Sequence, residues 1–439
     1  MNRNPSEGAK YSRARRGGYA PRGRAAGSRR PGAARAPAAI IRRVQQSTTF
    51  DVAVVGAGVA GLAVAVGAAQ LGLRTALVGP PAPARSAEPS APFDVRIYAV
   101  APAAVALLEQ LKVWPAVDET RVQAVAKMRV FGDAGNELTF DAYQASLPRL
   151  ATIVEESELL RALAAAAGFA PGLQRIESSF EALLQQGEAA RLVLAGGQPI
   201  DARLVVAADG ARSAVRAAAG INAEELSYGQ TAVVANFACA RPHGGVALQW
   251  FDPAEGVIAL LPLPGDRVSL VWSAPAALAG ALAADEASLA ARLAARAQPH
   301  LGELTAIGPA ASFPLRRITV DRMVGSRLAL VGDAAHVVHP LAGQGLNLGL
   351  ADVSELLRVL GGREDWRDPG DAVLLRRYER LRAEPVGAMR LATHALARLF
   401  SRGDALSREV RNLGLSAVNA LPPLKNALIR HAAGPQARP

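Results

Sequence analysis

Apolar residues fall along this chain in three rhythms. Short uninterrupted runs, Val52–Val55, Thr75–Val78, Leu204–Ala208 and Leu328–Val331, each suit one strand buried on both faces, as in a parallel sheet. From Tyr228 to Ser273 the rhythm becomes alternation: TAVVANFACA, GGVALQWF, GVIALLPL and RVSLVWS predict a sheet with one covered face, its last two strands joined at Pro264–Asp266. Met128–Phe140 reads as a hairpin turning at Asp133–Asn136. Helical spacing marks Ala101–Leu111, Ile153–Ala167 (entered through Glu155 and Glu156), Ala281–Ala297 and the stretch from Leu346 onward. Phe313–Ile318 leads the chain back to the Leu328 strand. Residues 371–439 read as helical; Leu391, Ala395, Leu396, Leu399 and Phe400 form an apolar stripe expected to pack on the domain, with a membrane surface or partner as the alternative.

Composition changes this picture in three places. The net charge of +11 over 439 residues looks like a nucleic-acid signal until it is located. Residues 1–49 hold twelve Lys/Arg and a single acid, Glu7, so the rest of the chain is neutral. That Gly/Pro/Ala/Arg arm has little to bury and is expected to be disordered; it suits RNA, anionic lipid or no partner, and no nucleic acid is expected. Its makeup also fits an organelle transit peptide, which would place the protein on the mitochondrial matrix side. Four lysines against 45 arginines point instead to GC-rich coding, hence a protein of the bacterial cytoplasm with a nonessential arm. Residues 371–439 carry +7, a second basic region. The one cysteine, Cys239, excludes an internal disulfide, fits a reducing compartment and reads as a small buried hydrophobe. Val52–Leu73 runs 22 residues without a charge, but its five glycines and its switch from strand to helix describe a buried βα unit, so no transmembrane helix is expected.

The candidate chemistry sits where the buried strands end. Arg327–Asp352, RLALVGDAAHVVHPLAGQGLNLGLAD, closes a strand with Gly332-Asp333 and then turns through Gly343, Gly345 and Gly349 into a helix. A carboxylate at a strand's carboxyl end can hold hydroxyls, and a helix start offers unpaired N–H groups to negative charge. Gly56-x-Gly58-x-x-Gly61 lies between a strand and a helix: Gly56 for the tight turn, Gly58 for backbone approach to a pyrophosphate, Gly61 for close packing. The acid expected after the second strand to grip a ribose is replaced by Gly79-Pro80. Asp209-Gly210 ends a third strand, and Ser213 is placed to cap the helix carrying Val215 and Arg216.

Three motifs in this order, Gly56-x-Gly58-x-x-Gly61, Ala208-Asp209-Gly210-Ala211-Arg212-Ser213 and Gly332-Asp333-Ala334-Ala335-His336, resemble the FAD-dependent aromatic hydroxylases. HPLAGQGLNLGLAD, DVRIYAVAPAAVALLEQLKVW and LPPLKNALIRHAAG make the likeness strongest to the ubiquinone-biosynthesis branch, over roughly residues 50–434. The resemblance implies an α/β fold: a Rossmann-like FAD-binding domain with an inserted mixed β-sheet substrate domain and a carboxyl-terminal helical region. Its expected division is a basic arm at 1–49, FAD-binding parts at 50–117, 151–222 and 319–370, substrate-domain parts at 118–150 and 223–318, and helices at 371–439. It implies FAD as cofactor, NADPH or NADH as co-substrate, and delivery of one oxygen atom of O₂, activated by the reduced flavin, to a phenolic ring that carries a polyprenyl tail. It further implies peripheral membrane contact and membership of a ubiquinone-biosynthesis complex.

Carried over residue by residue, Gly56, Gly58, Gly61, Asp209 and Gly210 serve the pyrophosphate side, Asp209 also helping the nicotinamide donor. Asp333 holds the ribityl hydroxyls. Gly345, Leu346 and Asn347 present backbone donors to the flavin's carbonyl edge, and the carbonyl of Pro340 lines the reacting face. Arg96 matches an arginine that reaches toward the flavin, with an ordinary surface salt bridge as its alternative. Glu156 departs from the branch, which has asparagine there. His336 reads as a hydrogen-bonding structural residue; His339 points toward the pocket and is a candidate acid/base. Arg212 and Arg216, beside a helix start, have a solvent-facing reading too.

Other functions remain open from sequence. A soluble phenol would use the same flavin. A flavin-dependent prenyl reductase would not consume O₂. A flavin halogenase needs a Trp-x-Trp-x-Ile-Pro motif and a sheet-domain lysine, and Tyr228–Ser273 contains neither. An RNA- or membrane-binding protein with a structural flavin would depend on the arm and not on Asp333.

Overall fold

The computed structural model describes residues 49–81, 92–132, 136–196, 199–340, 343–401 and 421–434. The basic arm, most of the expected Pro80–Pro92 loop, the centre of the Asp133–Asn136 turn and Phe400's side chain lie outside the described residues.

Val52–Val55 are fully or nearly fully buried, and the strand they complete, Thr49–Val55, sits in the middle of an eight-stranded sheet. Its neighbours are Thr75–Val78 on one side and Ile200–Ala207 on the other; Leu173–Ile176 and Leu328–Leu330 lie beyond them, and all five strands run parallel. Parallel strands need crossovers, and the helices Val59–Gln70, Glu156–Phe169 and Gln344–Gly361 supply the cover that keeps such a sheet dry. Because the strands share a direction, Gly56, Gly79, Asp209 and Gly332 all emerge at one edge of the sheet. That edge is where open α/β sheets bind ligands. The uncharged run from Val52 is thus divided among strand, turn and helix, and among the described residues no helix is long and apolar enough to cross a membrane.

The alternating segments form a nine-stranded mixed sheet organised on one long strand, Ala223–Cys239. Its pairings are antiparallel apart from Val246–Asp252 beside Lys127–Phe131. The apolar face, with Val233, Phe237 and Trp272, is covered by two helices, the first through Ala279 and Leu282 and the second through Leu289 and Leu293. Those helices correct the single Ala281–Ala297 helix expected from sequence: Ala276–Ala284 and Glu286–Leu301 divide at Asp285, whose carboxylate caps the second by accepting from Ala287 N at 3.0 Å. Cys239 is half-buried at the strand end, where burial pushes its thiol up to about 11, so it is not a thiolate nucleophile.

A three-stranded sheet, Ile97–Val100, Ala151–Glu155 and Gln123–Val125, joins the two larger ones in sequence. Here a second expectation fails. Ile153–Glu155 is strand, and the helix starts only at Glu156, because Ile153 and Val154 are β-branched and have strand partners to pair with. Glu155 is buried and makes a bidentate pair with Arg121 at 2.7 Å while also accepting from Asp94 N.

The helix Ala372–Ser401 overturns a third expectation. Leu391, Ala395 and Leu396 are exposed, and the inward face holds Tyr378, Arg382, Thr393 and the half-buried Ala397. The phase of the helix is set by polar anchors: Tyr378 Oη donates to Leu330 O at 2.8 Å, and Arg382 pairs with a buried acid. The expected leucine stripe is rotated away as a consequence.

Candidate functional site

The glycine turn is shaped by what its neighbours exclude. Gly56 has φ +114°, and a methyl group there would overlap the Ala208 carbonyl on the next strand. A methyl on Gly61 would overlap the carbonyl of Gly56, so the helix can begin this close to the strand only with glycine. Gly58 differs: a methyl built on it meets nothing within 4 Å, and it stands as N-cap of Val59–Gln70 with no side chain closing the helix start. Open space above free helix N–H groups suits a pyrophosphate. The missing ribose acid has a local correlate, since a Cβ at Gly79 would press on Ala57 N at 3.0 Å.

Opposite this turn stands Gly332-Asp333, fixed from beneath by a buried cluster. Asp352 accepts from Gly332 N at 2.9 Å, His336 Nε2 at 2.7 Å and Arg382 Nε at 2.7 Å. Burial works against its charge, but His336 and Arg382 more than offset that and hold its carboxyl below the ordinary value. Arg216 donates to Ala334 O at 2.8 Å and is buried, which corrects its solvent-facing reading. Gly349, one turn before Asp352, packs on Gly332 so closely that its Cβ would lie 3.1 Å from Gly332 Cα.

Held this way, Asp333 is open to solvent, yet surrounding protein raises its carboxyl pKa by desolvation, with His336, Arg96 and Arg316 acting in the opposite sense. A carboxylate both wet and crowded lies in a cleft. Arg96 enters the same cleft edge, where its Nη1 donates to both carboxylate oxygens of Glu156 at 2.9 and 3.1 Å, its guanidinium 5.0 Å from the Phe313 ring centroid. Tyr98 Oη donates to the same carboxylate at 2.8 Å, and burial together with Glu156 drives the phenol pKa far up. Both readings of Arg96 therefore meet in one place: it is a half-exposed salt bridge, and it faces Asp333.

Asn347 does not present its side chain to the cleft. Its Oδ1 accepts from Ala101 N at 2.8 Å and its Nδ2 donates to Ala99 O at 2.9 Å, tying the Gln344–Gly361 helix to the Ile97–Val100 strand. Gly343, at φ +64°, turns the chain into that helix; Gly345 and Leu346 occupy its first turn, half-buried, with no side-chain cap. Asp209 is likewise engaged locally, accepting from Ser213 Oγ and from Val215 N at 3.1 Å, while Ser213 caps the short helix through Arg216 N at 3.0 Å. Gly210 takes φ +81° beside it.

His339 is buried, and its Nε2 lies 2.9 Å from Gln230 Oε1. Burial lowers its pKa to about 4, so the ring is neutral at pH 7. Pro340, half-buried, follows it. Sequence reasoning missed Gln230 and Tyr228, whose ring meets His339 edge-on at 4.7 Å. Their signal was Gly229, a glycine inside a strand pattern: the long strand slips register between Ser227 and Thr231, and such bulges re-aim side chains. Asp352 and Arg382 were missed too, although an aspartate within an apolar helix pattern marks a buried charge in need of a partner.

A family model described as "FAD binding domain" matches residues 49–391. The ubiquinone hydroxylase UbiL of Rhodospirillum rubrum is 38% identical, aligned over 88% of this chain and 89% of its own. The 3-demethoxyubiquinol 3-hydroxylase of Escherichia coli is 36% identical, over 88% of this chain and 98% of its own. Among solved structures, PqsL of Pseudomonas aeruginosa superposes with a TM-score of 0.70 at 25% identity, covering 84% of this chain and 100% of that one. With the glycine turn, the Asp333 cleft and a match over residues 49–391, the chain belongs to the FAD-binding domain family, as one of its FAD-dependent monooxygenases.

Proposed function

We propose that this protein hydroxylates the aromatic ring of a polyprenylated ubiquinone precursor, using bound FAD, O₂ and NADPH or NADH. The observation that carries the reading is the near full-length likeness to two hydroxylases whose names place their substrates in the ubiquinone series. The geometry fits the cofactor. The open helix start at Gly58, between the packing glycines Gly56 and Gly61, would take the pyrophosphate, with Asp209 and Gly210 beside it. Asp333 would accept from ribityl hydroxyls, and the backbone of Gly345, Leu346 and Asn347 would face the flavin's carbonyl edge, where developing negative charge favours a helix start. Bound FAD supplies the hydride and O₂ chemistry.

The chain's own part is placement. The Asp352–His336–Arg382 cluster keeps Asp333 from moving, Arg96 sets a positive charge at the cleft edge, and the Pro340 carbonyl lines the reacting face. His339, neutral and buried, offers a ring nitrogen without bringing charge or water into the pocket. For a membrane-borne substrate, the basic carboxyl-terminal helix exposes Leu391 and Leu396 near Arg390 and Arg398 and would rest on a lipid surface, at the bacterial inner membrane or on the mitochondrial matrix side. Membership of a ubiquinone-biosynthesis complex belongs to the same proposal.

The experiment is a deletion strain analysed by mass spectrometry of its lipids. It should lose ubiquinone and accumulate a prenylated precursor lacking one ring hydroxyl. Unchanged ubiquinone, in a strain with no redundant hydroxylase, would return the assignment to soluble phenols.

A further inference from the structure

One residue at the cleft edge is gripped by another at both of its ends. Glu156 N donates to Arg96 O at 3.1 Å, and the Glu156 carboxylate accepts from Arg96 Nη1 at 2.9 and 3.1 Å. Tyr98 Oη holds that carboxylate in turn, donating to it at 2.8 Å. The backbone leading to Arg96 is fixed as well. Asp94 N donates to Glu155 Oε1 at 2.7 Å, and Asp94 Oδ2 accepts from Ser157 N at 2.9 Å. Asn236 Nδ2, reaching across from the mixed sheet, donates to Phe93 O at 3.1 Å and Asp94 O at 2.9 Å. A solvent-exposed ion pair contributes only about 0–1 kcal/mol to a fold, so stability is a poor account of this much scaffolding around one arginine.

The grip leaves part of Arg96 unused. Only Nη1 meets Glu156; Nε and Nη2 have no hydrogen-bond partner among the described residues. Those two nitrogens form the edge of a guanidinium that meets two oxygens of one anion at once. The Phe313 ring, 5.0 Å from the guanidinium, covers one face and leaves the edges for polar partners. A ligand can reach them, because the Arg96 side chain is 49% exposed and Asp333, across the cleft, is open to solvent. Arg96 and Asp333 also feel one another's charge, each favouring the ionised form of the other. The free edge therefore suits an anion that arrives beside whatever Asp333 binds.

We infer that Glu156 is a positioning residue for the cofactor: it aims the free edge of Arg96 at the phosphate nearest the ribityl chain, and Tyr98 holds Glu156 in place to do so. This rests on the proposed placement of the ribityl hydroxyls at Asp333, since that phosphate is bonded to the end of the same chain. A carboxylate in this role has two opposed effects. It fixes the guanidinium, and it repels the phosphate. Geometry decides between them: the carboxylate occupies Nη1 and the phosphate takes Nε and Nη2, so the arginine's charge lies between the two anions. The phosphate gains an ordered donor pair without having to displace Glu156.

The test is a double-mutant cycle on FAD affinity, measured by flavin fluorescence on the full-length protein stripped of its cofactor. Glu156→Ala should bind FAD roughly tenfold less tightly than wild type, the scale of one lost hydrogen bond. Glu156→Gln keeps an oxygen for Nη1 and for Tyr98, and should recover most of that loss. In an Arg96→Met background, Glu156→Ala should cost nothing further. Tyr98→Phe leaves Glu156 whole but unanchored; it should weaken FAD binding in the wild type and not in Arg96→Met, which keeps the inference testable if Glu156→Ala fails to fold. Tighter FAD binding in Glu156→Ala would mean that Glu156 competes with the phosphate for Arg96, and overturns the inference. So does an unchanged affinity in Arg96→Met, or an equal loss from Glu156→Ala with and without Arg96. Asp333→Ala reports separately on the ribityl chain, so failure here is distinguishable from failure of that placement.

Discussion

Arg382 and Asp352 meet at 2.7 Å with both side chains buried, and through this pair the carboxyl-terminal helix grips the floor of the cofactor cleft. Asp352 passes the constraint on, holding Gly332 N and His336 with its other oxygen. Arg382 also donates to Leu348 O at 3.2 Å, so one guanidinium ties two helices together.

Replacing Arg382 with methionine should therefore destabilise the fold by about 3–5 kcal/mol, because it strands a buried carboxylate. Thermal unfolding of FAD-free protein measures this. The double variant Arg382→Met/Asp352→Asn should recover much of the loss; if both melt alike, the pair is not the anchor.

Asp333→Ala should weaken FAD binding by roughly 1.5–3 kcal/mol, the value of a hydrogen bond to a charged acceptor. Asp333→Asn adds a sign test in the FAD-free protein. The folded-state pKa is raised above the unfolded one by desolvation, so ionisation penalises the fold. That penalty is absent below the unfolded pKa and complete above the folded one. At neutral pH, Asp333→Asn should melt higher than wild type while binding FAD worse. Equal FAD affinity would remove Asp333 from the ligand set.

The glycines of the turn should separate fold from ligand. Gly61→Ala should lower the melting temperature of FAD-free protein, because its methyl meets the Gly56 carbonyl. Gly58→Ala meets no protein atom and should melt normally, yet bind FAD less tightly if the pyrophosphate uses that space. Normal FAD affinity in Gly58→Ala would move the pyrophosphate elsewhere.

His339 titrates near 4 in the folded chain, well below its ordinary value of 6.5. Between these values the unfolded chain takes up a proton that the native state refuses, so stability falls as pH drops through this window. The full effect is on the order of 3 kcal/mol below pH 4. Acid unfolding of wild type against His339→Gln should show a gap that narrows across this window. Parallel curves from pH 7 to pH 4 would mean that His339 is solvated.

Deleting residues 2–48 should leave FAD content and melting unchanged, since that arm offers little apolar surface to bury. Aggregation or loss of flavin on deletion would make the arm part of the fold.

The sequence alone determined whatever depends on neighbours in the chain. Val52–Val55 and Leu204–Ala208 announce buried strands because both faces must be apolar, and Gly56-x-Gly58-x-x-Gly61 announces a tight strand-to-helix turn because only glycine fits it. Ser213 was legible as a cap for the same reason: its partner, Arg216 N, is three residues away. Tertiary structure decided what depends on partners far along the chain. Ile153–Glu155 has helical spacing, but strands 97–100 and 123–125 claim it. The leucines of 391–396 look like a packing stripe, but Tyr378 and Arg382 set the helix phase through contacts 48 and 30 residues away. Tyr228 and His339 lie more than a hundred residues apart, and nothing local to either predicts that they will meet. Burial of a polar group is a property of the assembled neighbourhood, and the Tyr228–His339 pair acquires its unmet hydrogen bonds only when strand, bulge and helix close around it.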